Sequence, residues 1–145
     1  MNRIGRIVIP VDRSETARIA VEQGSHMAKA LGVDVSIISV DDTQQFIASG
    51  ALEKKLRKEH ESVLEKYKKV AEMKDIKTHT EIIVGNTPAE EIIRYAEDDD
   101  LLVMLSHSKK GMERFLLGSV SEKVLRNANC HVMVLKPHIT EDRHI

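Results

Sequence analysis

Tryptophan is absent from the 145-residue chain, and phenylalanine and tyrosine occur only twice each. So few aromatic rings leave no platform for stacking a row of nucleobases. A net charge of −1 removes the general electrostatic pull toward nucleic acid or an anionic membrane. The single cysteine, Cys130, cannot build an internal disulfide framework, which suits a reducing cytoplasm. It precedes an apolar strand, so a buried, unreactive thiol is expected. No apolar run approaches the roughly 20 residues that span a bilayer. Arg3 and Arg6 lead straight into the apolar residues 7–11, without the pattern of a secretory signal. A cytoplasmic protein is expected, with neither nucleic acid nor membrane as partner.

Several chemical signatures are also missing. There is no G-x-G-x-x-G and no G-x-x-x-x-G-K-[ST] loop. The histidines at 26, 60, 79, 107, 131, 138 and 144 form neither an i, i+4 pair nor a cluster with cysteine, so no closed zinc site is visible. A phosphoacceptor receiver would need an acid pair after the first strand and an aspartate after the third; the chain offers Asp12-Arg13 and Gly85-Asn86 instead. No Ser-His-Asp set and no clear general base stand out. Catalysis is not supported.

What is present is regular. Apolar residues make up 41% and charged residues 31% of the chain, as in a soluble globular protein. Residues 1–145 form one expected domain, long enough to bury roughly 70% of the surface its unfolded chain exposes. Strand patterns at residues 7–11, 33–40, 78–84, 101–105 and 131–135 alternate with helical ones. The first helix runs through Ala17, Ala20, Val21, Gly24, Met27, Ala28 and Leu31 to a stop at Gly32. Residues 50–74 form a charged helix with Leu52, Leu56, Val63, Tyr67 and Val70 as its apolar stripe, and Glu53–Arg57 and Glu65–Lys69 one turn apart. Thr87-Pro88-Ala89-Glu90 reads as a capping box with proline at the first helical position. Strict alternation of apolar strands with helices implies a doubly wound parallel sheet covered on both faces, an α/β/α sandwich.

In such a sheet, ligands sit beyond the carboxyl ends of the strands, where the strand order reverses. The ends of the first and fourth strands carry Pro10-Val11-Asp12 and Leu105-Ser106-His107-Ser108. The fourth strand's loop then enters Gly118-Ser119-Val120-Ser121-Glu122. That segment has two readings. Ser119 as N-cap with Glu122 three residues on is a capping box. A helix start with a glycine and two hydroxyls is also a cradle for phosphate, the rarer use of such a segment, through its free N–H groups and the positive end of the helix dipole. Asp41-Asp42-Thr43 suits a divalent ion accompanying phosphate as well as it suits a turn. His107 is an ordinary loop histidine or a ligand contact.

Three segments resemble the universal stress protein family: IVIPVDRSETARIAVEQGSHMAKALG, NTPAEEIIRYAE and FLLGSVSEKVL. The resemblance covers nearly the whole chain. It implies a five-stranded parallel sheet of order 3-2-1-4-5, and a stress-response regulator that binds ATP or AMP as a conformational signal. Mg2+ or Mn2+ would enter only as the nucleotide's companion. Asp12 matches the adenosine-side aspartate and Val40 the adenine-side strand end. Together with Pro10, Val11 and Ser106, they form the implied nucleotide site with Ser108, Gly118, Ser119, Val120 and Ser121. The nucleotide-binding branch has glycine, two residues, glycine, nine residues, then glycine and a hydroxyl residue. Here Leu105 and Ser108 stand where its first two glycines fall. A leucine at a position needing positive φ is costly, and one at a close backbone approach fills ligand space. Ser108 is milder, and Lys109 and Lys110 add positive charge beside it. The alternative is therefore a dimeric interaction module of the same fold that binds no nucleotide.

The last strand, His131-Val132-Met133-Val134-Leu135, is expected at the sheet edge. The resemblance implies a homodimer in which Val132, Met133, Val134 and Leu135 meet their own copies across a two-fold axis. The competing expectation is that the polar residues 136–145 fold back over the edge.

Overall fold

Short β-branched runs and helical repeats take their places in the order the alternation dictates. The computed structural model describes residues 3–12, 16–43, 50–106 and 118–136. Its elements are β1 (Arg6–Pro10), α1 (Ala17–Leu31), β2 (Asp34–Asp41), α2 (Gly50–Glu72), β3 (Thr78–Val84), α3 (Pro88–Tyr95), β4 (Asp100–Leu105), α4 (Ser119–Asn127) and β5 (His131–Leu135). The strands form one parallel sheet in the order β3-β2-β1-β4-β5. Ile7 and Ile9 of β1 pack with Val103 and Leu105 of β4 against α1 and α2. Val8, Leu102 and Met104 point the other way, onto Ala89 and Ile92 of α3 and Val124 of α4. Successive residues of each central strand thus serve opposite cores, as burial on both faces requires.

Local signals explain most boundaries. Gly32 ends α1 in the left-handed region (φ 70°), and its N–H returns to the carbonyls of Ala28 and Lys29. Thr87 is the N-cap of α3 and Pro88 opens the helix, but the Thr87 side chain makes no capping bond. The expected box at α4 does not form either. Gly118, not Ser119, is its N-cap. The backbone decides this: Gly118 donates its N–H to the Ser106 carbonyl (2.5 Å) and accepts from Glu122 N–H (2.9 Å), so the helix starts one residue early. In α2 the expected Tyr67 is buried together with Leu64 and Ala71, Val63 and Val70 pack half-buried against the same core, and Leu52 is exposed. Arg57 pairs with Glu61 at 3.7 Å.

The amino end of the sheet is locked by charge. The Arg6 guanidinium grips Asp100 with two bonds, Nε to Oδ1 at 3.0 Å and Nη2 to Oδ2 at 2.7 Å. It lies over the Tyr95 ring at 5.0 Å, while Tyr95 Oη reaches Ser36 Oγ at 2.7 Å. Its hydrogen bond to Asp100 raises the Arg6 pKa further despite partial burial. Adjacent strands β1 and β4 are thereby pinned at the end where Arg6 faces Asp100 in register.

At the opposite end the same two strands part. β1 stays paired with β2 as far as Pro10 opposite Ile38, but its pairing with β4 ends at Val8 opposite Leu102. Val11 donates its N–H to the Ile38 carbonyl at 2.8 Å, so the alternation of a strand turns Pro10 toward β4. Proline has no N–H to offer there. A gap opens at the carboxyl edge of the sheet, where the strand order reverses.

Candidate functional site

The gap between β1 and β4 widens into a cavity of about 600 Å³. Its floor is Pro10, Val11 and Asp12 at the end of β1 and Leu105 at the end of β4. One wall is the start of α4, Gly118 to Ser121, and the other is the end of β2 with α2, contributing Val40, Thr43 and His60. The volume is that of a small-molecule site.

Three hydrogen bonds aim α4 at this cavity. Ser106 N–H donates to the Leu135 carbonyl at 2.7 Å, Gly118 N–H to the Ser106 carbonyl, and Ser121 Oγ to the Leu105 carbonyl at 2.6 Å. The helix start is thereby tied to the end of β4, with first-turn N–H groups that have no acceptor inside the helix. Those groups and the helix dipole favour an anion at Ser119–Ser121. The Ser121 hydroxyl is buried and already donates to Leu105, so this residue offers a ligand its backbone N–H.

The sequence-derived residues converge only in part. Pro10, Val11, Asp12, Val40, Gly118, Ser119, Val120 and Ser121 all line the cavity. Ser106 does not; it is buried and acts through its backbone, while its Oγ has no partner among the described residues. Ser108, His107, Lys109 and Lys110 lie outside the described residues, as do Arg13, Ser14 and the tail from 137. Leu105 continues the β4 ladder opposite Leu135, and its side chain is buried in the core on the α1 and α2 side. Among the described residues Asp75 is the sole non-glycine with positive φ, so the leucine carries no backbone strain.

The wall formed by β2 and α2 joins the expected Asp41 and Thr43 to Ser39 and His60, which the sequence did not single out. Asp41 is buried, and its Oδ1 accepts from Thr43 Oγ1 (2.6 Å) and Thr43 N–H (3.1 Å), the geometry of the turn rather than of a metal ligand. Burial pushes its carboxyl up, but the two Thr43 bonds, aided by His60 and Arg57, prevail and hold it below the usual value. Ser39 Oγ lies 2.7 Å from His60 Nδ1. The signal was present: Leu56, His60, Leu64, Tyr67 and Ala71 recur at helical spacing, with one polar member among apolar ones. At the far side of the fold Cys130 is half-buried, and burial with the nearby Asp100 raises its pKa, as suits an unreactive thiol.

A doubly wound parallel sheet with a cavity at its switch point is the architecture in which α/β proteins of this class place small ligands. Residues 3–136 match the universal stress protein family model, and the chain belongs to that family. Universal stress protein MJ0531 of Methanocaldococcus jannaschii is 41% identical over 143 residues, covering 93% of this chain and 84% of the relative. The solved structure of protein MJ0577 superposes with a TM-score of 0.78 at 34% identity, over 91% of this chain and 95% of the other. A universal stress protein from Archaeoglobus fulgidus, solved in complex with dAMP, has the same fold (TM-score 0.71, 21% identity, 94% of this chain and 100% of the other). Another, solved in complex with cAMP, gives a TM-score of 0.70 at 19% identity, covering 93% and 98%.

Proposed function

We propose that this chain is a cytoplasmic, single-domain universal stress protein that binds an adenine nucleotide of the ATP or AMP type, and that occupancy is its conformational signal. The observation that carries this reading is the cavity itself. One continuous space joins the start of α4, which suits phosphate, to the ends of β1 and β2, which suit a nucleoside. Ser119, Val120 and Ser121 would cradle phosphate through their N–H groups, with Gly118 giving close backbone approach and Ser108 adding a hydroxyl. Asp12 would accept from the adenosine, and Val40 would meet the base. Pro10 and Val11 would floor the site, with Ser106 shaping it through its backbone. Mg2+ or Mn2+ enters only with the nucleotide. The complexes of two family members with dAMP and cAMP support the ligand class.

Leu105 favours a second reading, an interaction module without ligand, because it stands in place of a glycine beside the phosphate end. The unstrained strand geometry of Leu105 weighs for the first reading: the side chain is taken up by the core. Under either reading the protein is a homodimer joined through β5. Isothermal titration with ATP, AMP and cyclic AMP separates the two. Saturable binding of one nucleotide per chain, weakened about tenfold by Asp12→Ala through loss of a charge-assisted hydrogen bond, is expected. No heat with any of the three would select the interaction module.

A further inference from the structure

Ser39, His60 and Asp41 meet on the cavity wall opposite α4. Ser39 is buried in β2, and His60 reaches it from the middle of α2. His60 Nε2 lies 3.8 Å from Asp41 Oδ1, beyond hydrogen-bond distance. The trio is not a nucleophilic triad. Ser39 is 2% exposed, and Asp41 Oδ1 is already engaged by Thr43. What the arrangement does favour is one tautomer of the ring. An ionised carboxylate facing Nε2 favours hydrogen on that nitrogen, which leaves Nδ1 as acceptor for the Ser39 hydroxyl. The Nε2–H then has no acceptor within hydrogen-bond distance among the described residues, and the half-buried ring lines the cavity.

A ligand whose phosphate lies on the start of α4 extends its other end toward this wall. Val40 and Leu56 flank it with apolar surface, suited to a flat heteroaromatic ring. We infer that His60 is a specificity-determining residue whose Nε2–H donates to an acceptor atom on the base of the bound nucleotide, with Ser39 holding the ring in the donating tautomer. The inference rests on the nucleotide reading above and adds to it a side chain that distinguishes a base-bearing ligand from a bare polyphosphate. The contact also couples the ligand to α2, whose residues before Leu64 are exposed or half-buried.

Titrations of the wild-type protein, His60→Ala and His60→Gln with ATP and with inorganic tripolyphosphate test it. One hydrogen bond lost from the base predicts an ATP affinity about tenfold weaker in His60→Ala. Tripolyphosphate affinity should stay unchanged. His60→Gln, which can still present an N–H, should recover most of the loss. Equal ATP affinity in wild type and His60→Ala would overturn the role of His60 while leaving the nucleotide reading intact. Parallel loss of both ligands, or no recovery with glutamine, would also overturn it. Should tripolyphosphate bind too weakly to read, the alanine loss and glutamine recovery decide alone. A wild-type protein that binds no ATP would remove both readings together.

Discussion

Asp41 shows how one side chain can hold the end of a strand in the shape a site requires. Its carboxylate takes two bonds from Thr43 and faces His60, while its own carbonyl accepts from Gly85 N–H at 3.1 Å. Because its folded pKa is lowered, its contribution is present in full above the ordinary carboxylate value, about 3.9. It is lost as pH falls through the lower folded value. Asp41→Asn keeps the shape and removes the charge, and should cost about 1–2 kcal/mol at neutral pH. Urea unfolding at pH 7 and pH 3 should show this difference shrinking in acid. A difference that stays constant would mean the charge contributes nothing. Leu105 likewise takes its role from its place in the fold. The motif marked it as a departure from glycine, but its direction belongs to strand alternation, and that places it in the core.

Among the elements, β5 and β3 are the two edge strands, and β5 is the more apolar. It pairs only with β4, and Val132 to Leu135 stay half-buried. Val132 supports one core, Met133 and Leu135 the other, and Val134 packs in neither. An apolar edge strand of this kind is a surface for pairing with another chain. Light scattering at micromolar concentration should therefore give twice the chain mass, and Val134→Lys should shift it toward one chain without disturbing either core. An unchanged mass in the variant would exclude β5 as the interface. Element type and order were legible because the hydrophobic period switches cleanly between strand and helix along the chain. Helix starts were less so. At α4 a backbone bond from Gly118 to Ser106, which no local pattern contains, moved the cap away from Ser119. In α2 the expected Val63, Tyr67 and Val70 do meet the core, but a choice by hydrophobicity alone passed over His60, which lines the cavity. The gap between β1 and β4 follows from Pro10 facing β4, a consequence of register that no local pattern contains.

The whole molecule has two unlike ends. At the amino edge Arg6, Asp100, Tyr95 and Ser36 close the sheet with charge and hydrogen bonds. At the carboxyl edge the same central strands separate and leave a cavity between α4 and α2. The proposed adenine nucleotide would lie in that opening, phosphate at α4 and base at β2 and α2. Backbone amide chemical shifts recorded during an ATP titration test this placement most directly. The account predicts saturable shifts concentrated at Val11–Asp12, Val40–Thr43, His60 and Ser119–Ser121, with Arg6 and Asp100 undisturbed. Shifts that fail to appear, or that gather at β5 or the amino edge, would contradict it.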